Sequence, residues 1–389
     1  MCELKSSGTK EFVEGRARLF LPAQIERWPG VFYNPKMNLN RDIAILFASS
    51  HFPSSRQLRV CDPMTASSVR AVRYALETPN VLSVLAADND PQTVEVARAI
   101  VRLNGLVERI RIVESDANLL LSNHIKDRFD LIDLDPFGSP APFFENALRA
   151  TLDGGVIAAT ATDMGPLTGA RASACVRKYG VRPIRSEFEK EMAVRILAAC
   201  MCVIAGRLEL GIEIVFSHAS DHYARIYAKV TKGTKPANLS TRSLGFVEYC
   251  PECLRRTSHG RLEAIATSCE DCGGKTRIGG PVWLGPLWDA DTTHAMIEHT
   301  PMLQSSRLSE IQNILTCAAQ EKSASAFHYR TDAFSKRLGL KPPALGEVLN
   351  ALREAGFEAT GTHFSPYGFR TSAPCQKIAS IFQTLAKKI

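Results

Sequence analysis

The chain has 389 residues, of which 45% are apolar and 22% charged, the composition of an ordinary soluble globular protein with room for two or three domains. Its net charge is +7, and most of that excess lies in residues 231–389, where 19 Lys and Arg face 14 Asp and Glu. An excess of this size suits a polyanionic partner such as nucleic acid, and equally a solvated basic surface.

The N-terminus, Met1-Cys2-Glu3-Leu4-Lys5, lacks the apolar stretch of a secretory signal. Eleven cysteines without a dense framework then point to reduced thiols in a cytoplasmic setting. From residue 57 onward short apolar runs alternate with helical stretches. Residues 58–61 read as a strand, followed by a helix to about residue 77. A second strand covers 81–86. Pro91 opens a helix whose buried face carries Val94, Ala97, Val101 and Leu103 before Asn104-Gly105 ends it. Further strands are expected at 109–113, 129–134 and 155–159. Strands separated by helices at this spacing indicate βαβ units and a parallel sheet.

Residues 187–207 form a long apolar helix. Its longest apolar run, 196–206, is bounded by Arg195 and Arg207 and falls short of the ~20 residues that cross a membrane. Strands at 211–216 and 223–230 follow, the second alternating as an edge or antiparallel strand does. The polar stretch 231–236 is the expected domain boundary, dividing a sheet domain, 1–232, from a C-terminal domain, 233–389. The C-terminal part opens with a cysteine-rich unit and ends in helices, the clearest at 345–355 and 376–388.

In an open parallel sheet, ligands bind at the carboxyl ends of the strands near the switch in strand order. Asp62, Asp88, Asp116 and Asp135 each end or follow one of the first four strands. An acid after the second strand can accept hydrogen bonds from both ribose hydroxyls. Asp116 and the backbone at Ala117 and Asn118 can meet an adenine amine. Each acid alone could merely cap the next helix; the series points to a nucleoside-containing cofactor. The first loop, residues 62–70, contains no glycine, which argues against a pyrophosphate-binding dinucleotide site. S-adenosylmethionine has no pyrophosphate, and its carboxylate suits an arginine, with Arg41 and Arg70 as candidates.

Asp135-Pro136-Phe137-Gly138 follows the fourth strand directly. An amine conjugated to a ring is a poor nucleophile, and a carboxylate that accepts its N–H can draw off the proton as a methyl arrives. Proline stiffens the turn, and the Phe137 ring can stack on a flipped-out base. Four residues are a weak motif by themselves, since a plain strand exit with a buried Phe137 would look the same. Its position in the acidic series gives it weight.

Cys250, Cys253, Cys269 and Cys272 form two C-x-x-C pairs separated by fifteen residues, the spacing of a structural four-thiolate zinc site at about 246–280. A redox dithiol or four metal-free thiols are the alternatives. Four thiolates leave no open coordination position, so no catalysis is expected there.

The segments Phe32-Tyr33-Asn34-Pro35-Lys36-Met37, Asn40-Arg41-Asp42, Asp133-Leu134-Asp135-Pro136-Phe137-Gly138-Ser139-Pro140, Thr160-Ala161-Thr162-Asp163, Asp221-His222-Tyr223 and Gly368-Phe369-Arg370-Thr371 together resemble the tRNA guanine-26 N2-dimethyltransferases over most of the chain. The resemblance implies a class I methyltransferase fold (a Rossmann-like, doubly wound α/β sheet) with a second α+β domain. It implies S-adenosylmethionine as methyl donor and N2 of guanine 26 in tRNA as acceptor, giving N2-methyl- and N2,N2-dimethylguanosine. It implies cofactor contacts at Arg41, Arg70, Asp88, Asp116 and Ala117, catalysis by Asp135 with Phe137 beside the base, and a C-terminal domain that helps hold tRNA. Neither a membrane nor an obligate protein partner is expected. The family's first loop usually reads Ala-Thr-Gly where this chain has Ala66-Ser67-Ser68. A methyltransferase of the same fold acting on DNA adenine or a protein amide, and a zinc-stabilised RNA-binding protein without catalysis, are the rival readings.

Overall fold

A computed structural model describes residues 9–22, 33–220, 222–262, 266–321 and 326–386. Phe32 and Asp221 of the motifs above, and the end of the last expected helix, lie outside the described residues. The chain opens with a hairpin, β1 (Thr9–Glu14) and β2 (Ala17–Pro22), and a helix α1 (Asn38–His51). Then come β3 (Leu58–Asp62), α2 (Val69–Glu77), β4 (Val81–Asp88), α3 (Pro91–Leu103), β5 (Ile110–Glu114), α4 (Ala117–Asn123), β6 (Phe129–Leu134), α5 (Phe144–Ala150) and β7 (Thr151–Ala161). After the short helices α6 (Met164–Leu167) and α7 (Ala172–Tyr179), the long α8 (Glu189–Arg207) leads to β8 (Leu210–Ala219) and β9 (Ala224–Lys232).

Seven strands form one sheet in the order β5-β4-β3-β6-β7-β9-β8, parallel from β5 to β7 and antiparallel at β9 and β8. The sheet is therefore doubly wound, as expected, with its switch point between β3 and β6. Neighbouring residues on one strand enter different cores. Val60, Leu131, Val156 and Ala158 face a layer built from α1, α2 and α3, while Cys61, Ile132, Ile157 and Ala159 face α5 and α8. Burial on both faces explains why these strands read as continuous apolar runs.

β7 starts at Thr151, four residues ahead of expectation. The register slips between the Phe129–Thr151 and Leu131–Val156 pairs. Gly154 takes a φ of +73° there, and a Cβ on Gly155 would lie 3.0 Å from the Asp130 carbonyl oxygen. The glycine pair, of which only Gly155 was expected within the strand, serves as a bulge. The N-terminal hairpin went unread. Among the described residues its two strands pair only with each other, and β2 packs on α2 and α3.

The polar stretch 231–236 contains the end of β9 and the start of α9 (Thr234–Thr241), which packs on α8 and β8. β10 (Leu244–Tyr249), β11 (Arg256–His259) and β12 (Arg277–Trp283) then form a three-stranded antiparallel sheet. α10 (Ala290–His299) and α11 (Leu308–Gln320) return to the helical layer of α1, α2 and α3. The chain ends with β13 (Tyr329–Arg330), α12 (Thr331–Leu338), α13 (Leu345–Glu354), β14 (Ala359–Gly361), β15 (Gly368–Thr371) and α14 (Cys375–Ala386). Val247, Trp283, Phe327 and Phe382 join the same buried cluster as α8, so the N- and C-terminal parts share one core. No helix among the described residues is long and apolar enough to cross a membrane.

Candidate active site

At the carboxyl edge of the sheet lies a cavity of about 790 Å³. Arg41, Arg70, Asp88, Asp116, Ala117, Asp135 and Phe137 all line it, together with Asp62, Lys36, Thr162 and His222. The topology thus gathers every residue predicted for cofactor and amine, because β3, β4, β5 and β6 are adjacent and end together.

The wall under β3 and β4 is a tight loop. Thr65 Oγ1 donates to Asp62 Oδ2 at 2.8 Å, and the Ala66 N–H donates to Asp88 Oδ2 at 3.1 Å. Burial, opposed by Arg70 and reinforced by Asp133, pushes the Asp62 carboxyl up to about 7. Asp116 caps α4, accepting from the Asn118 and Leu119 N–H groups at 2.9 and 3.0 Å. Capping and cavity lining coexist there, since one oxygen serves both hydrogen bonds.

The glycine-free loop still makes the turn. Ser68 sits in the left-handed region at φ +51° and ψ +15°, and it is fully buried. A β-branched side chain is badly accommodated at such a φ. We expect Ser68→Val to cost about 2 kcal/mol or more through backbone strain and crowding, and Ser68→Gly to stay within about 1 kcal/mol of the parent. Paired chemical-denaturation curves distinguish these; equal stability of the two variants would contradict the left-handed turn.

The two arginines are held by acids. Arg41 donates through Nε and Nη2 to the two oxygens of Glu14 at 2.6 and 2.5 Å. Arg70 Nη1 donates to Asp133 Oδ2 at 3.1 Å, while its Nη2 donates to Asn40 Oδ1 at 2.8 Å and to Asp135 Oδ2. Asp135 keeps 21% of its side chain exposed toward the cavity. Phe137 is 77% exposed, not buried as a plain strand exit would have it. Gly138 has a φ of +89°, and the turn is pinned where its N–H donates to Thr162 Oγ1 at 2.8 Å and its carbonyl accepts from the Thr162 N–H at 2.9 Å.

Beneath this turn is a fully buried network that sequence reasoning missed. Asp133 accepts from Arg225 Nη1 and Nη2 at 3.0 and 2.7 Å, from Tyr74 Oη at 2.7 Å and from Arg70. Burial alone would raise the Asp133 carboxyl, but Arg225 and Arg70 outweigh it and hold it below the ordinary range. A signal existed: an acid inside the apolar strand Phe129-Asp130-Leu131-Ile132-Asp133-Leu134 and an arginine inside Ala224-Arg225-Ile226-Tyr227 each need a buried partner. Arg225→Ala leaves that acid short of its main cation, and we expect a loss of about 3–5 kcal/mol. Equilibrium unfolding tests this; a loss under about 1 kcal/mol would mean that the network adds little.

The four cysteines also converge. Cys250 Sγ lies 3.5 Å from Cys272 Sγ and Cys253 Sγ lies 3.5 Å from Cys269 Sγ, and all four sulfurs fall within 4.8 Å of one another. Tetrahedral zinc with Zn–S bonds of about 2.3 Å requires sulfurs about 3.8 Å apart, so the set fits the ion. The two knuckles match: the Leu254 N–H donates to the Cys250 carbonyl at 2.9 Å and the Gly273 N–H to the Cys269 carbonyl at 2.8 Å, with both donors at positive φ. The thiols lie within the described C-terminal sheet region, away from the cavity lining, which suits a structural role.

Residues 14–383 match the family model described as N2,N2-dimethylguanosine tRNA methyltransferase. A tRNA (guanine(26)-N(2))-dimethyltransferase from Thermococcus kodakarensis is 35% identical, covering 96% of this chain and 98% of that protein. A tRNA (guanine(26)-N(2)/guanine(27)-N(2))-dimethyltransferase from Aquifex aeolicus is 31% identical, covering 96% and 95%. Among solved structures, Trm1 from Pyrococcus horikoshii in complex with S-adenosyl-L-methionine superposes with a TM-score of 0.86 at 33% identity, over 96% of this chain and 99% of that one.

Proposed function

The chain belongs to the N2,N2-dimethylguanosine tRNA methyltransferase family, and from that premise we propose that it methylates N2 of guanine 26 in tRNA at Asp135, first to N2-methyl- and then to N2,N2-dimethylguanosine. The observation that carries the reading is the position of Asp135: a partly exposed carboxylate at the switch point, in one cavity with Asp62, Asp88 and Asp116. S-adenosylmethionine supplies an electrophilic methyl group on a sulfonium. The cavity suits it in size and in its acidic strand ends; in this reading Asp88 takes the ribose hydroxyls and Asp116 with the Ala117 backbone takes the adenine. Arg41 and Arg70 border the same space and can share their donors with its carboxylate.

In the reaction this chain's residues do three things. Phe137, exposed at the rim, offers a face on which an extruded base stacks, offsetting the few kcal/mol of unstacking. Asp135 accepts the N2–H and takes the proton as the nitrogen lone pair forms its new bond to carbon. Arg70 orients the Asp135 carboxylate, and Asp133 and Asn40 orient Arg70. The four thiolates hold the C-terminal sheet and take no part in transfer. A cytoplasmic location follows from reduced thiols and a tRNA substrate.

The deciding experiment incubates the protein and S-adenosylmethionine with an unmodified tRNA transcript and analyses the nucleosides by mass spectrometry. Mono- and dimethylated guanosine, absent when guanine 26 is replaced by adenine, is the expected result. Unmodified guanosine alone would sink the proposal, and product persisting in the replaced transcript would assign the reaction to a neighbouring guanine.

A further inference from the structure

The chain's net charge is +7, yet residues 163–185 alone hold Arg171, Arg177, Lys178, Arg182 and Arg185 against one acid, Asp163. All five cations are exposed. Lys178 Nζ lies 2.8 Å from Asp163 Oδ2; among the described residues the four arginines make no ion pair. Several basic side chains elsewhere are neutralised. At the amino edge of the sheet Arg56 pairs with Asp130 and Arg59 with Asp127, and in the C-terminal unit Arg330 pairs with Asp332 and Arg337 with Glu252. Helix α13 carries one arginine and two glutamates. Four unpaired guanidiniums within fifteen residues leave a local field in need of anions.

The segment is rigidly attached to the turn that carries Asp135. It directly follows Thr162, which exchanges hydrogen bonds with Gly138 at 2.8 and 2.9 Å. Asp163 then accepts from Tyr179 Oη at 2.5 Å. Further along, Arg182 and Gly280 of β12 exchange backbone hydrogen bonds at 3.1 and 2.9 Å. Gly169, at φ +83°, lies so close to the Arg185 backbone that a Cβ would stand 2.8 Å from its nitrogen. The basic segment therefore runs from the rim of the site to the cysteine-rich sheet, fixed at several points.

We propose that Arg171, Arg177, Arg182 and Arg185 form the surface that grips the tRNA phosphate backbone beside the extruded guanine. This rests on the tRNA reading above. Guanidinium forks match phosphate oxygens bidentately, and phosphate contacts set register on a nucleic acid without reading its sequence. A base lifted into the cavity brings its flanking phosphates to the rim at Thr162, from which the arginine-bearing segment leads away.

The test uses the full chain with its zinc and an unmodified tRNA transcript. One variant carries Arg171→Gln, Arg177→Gln, Arg182→Gln and Arg185→Gln; a second carries lysine at the same positions; a third carries Arg102→Gln, Arg111→Gln and Lys126→Gln, exposed cations on other elements. We expect the glutamine variant to bind tRNA about 30-fold more weakly near 0.1 M salt and to lower the log K against log salt slope by about 3. The lysine variant stays within about fivefold of the parent, because the charge remains. S-adenosylmethionine affinity, unchanged in all variants, reports intact folding. Parental tRNA affinity and slope in the glutamine variant, as an acidic protein partner would give, overturns the proposal, as does an equal loss in the third variant. Binding reads the arginines and methyl transfer reads Asp135, so tRNA held with the expected slopes but never methylated refutes the catalytic reading alone.

Discussion

Asp135→Ala is expected to slow methyl transfer to tRNA about 10³-fold, the middle of the range for loss of a positioned proton acceptor. Asp135→Asn should fall nearly as far, since the amide keeps the shape and can accept the N2–H but does not take the proton. The fold should survive both changes. Asp135 is partly exposed, and Arg70 retains Asp133 and Asn40 when it is removed. Affinity for S-adenosylmethionine should change less than tenfold, which is under about 1.4 kcal/mol, because Asp88, Asp116 and the Pro63–Ser68 loop are untouched. Single-turnover transfer to saturating tRNA, beside calorimetric titration of the cofactor, separates the two effects. Near-parental transfer by either variant would remove Asp135 from the mechanism. A cofactor affinity that collapses with Asp135→Ala would instead make it a binding residue.

Loss of the metal should be the largest stability effect. The unit from β10 to β12 has two short knuckles and little core of its own, and Cys250 and Cys269 are its buried thiols. Structural zinc stabilises small isolated units by apparent values of about 10–16 kcal/mol. Here β10 and β12 also pack on the shared core, so part of the fold should persist without the ion. Cys250→Ser with Cys269→Ser, or prolonged chelation, is expected to abolish a zinc stoichiometry of about one, as a single four-thiolate site requires, and to lower the melting temperature by on the order of 10 °C. Elemental analysis and differential scanning calorimetry measure both. A parent protein that purifies without zinc and melts unchanged in chelator would show that the thiols stand alone. The Cys375 thiol donates to the Cys253 carbonyl at 2.8 Å, so α14 should loosen together with the knuckles.

The residues that were legible in the chain were those whose role is local. Strands β3 to β6 could be read because burial on both faces demands unbroken apolar runs. The acids ending them and the paired C-x-x-C knuckles could be read because strand ends and metal knuckles occupy a few consecutive residues. The hairpin at residues 9–22 was harder to read, since its first strand inverts the usual pattern, with Val13 exposed and Glu14 buried, although Ala17 and Leu19 alternate with exposed Arg18 in the second. Charge by halves was too coarse as well: it placed the excess in the C-terminal part, while four exposed arginines without an ion pair among the described residues lie at 171–185.

By itself, then, the order of residues determined the doubly wound sheet, the acidic series at its carboxyl edge, the four-thiolate set and the family. Only the tertiary structure decided how the charges are spent inside it. Arg70 faces Asp133 and Asp135, Arg41 faces Glu14, and Arg225 reaches Asp133 across 92 positions of sequence. A buried charge must find an opposite one, but which one it finds depends on strands that become neighbours only when the sheet closes. The same holds for Ser68, whose left-handed backbone is imposed by the β3 and β4 ends meeting around it.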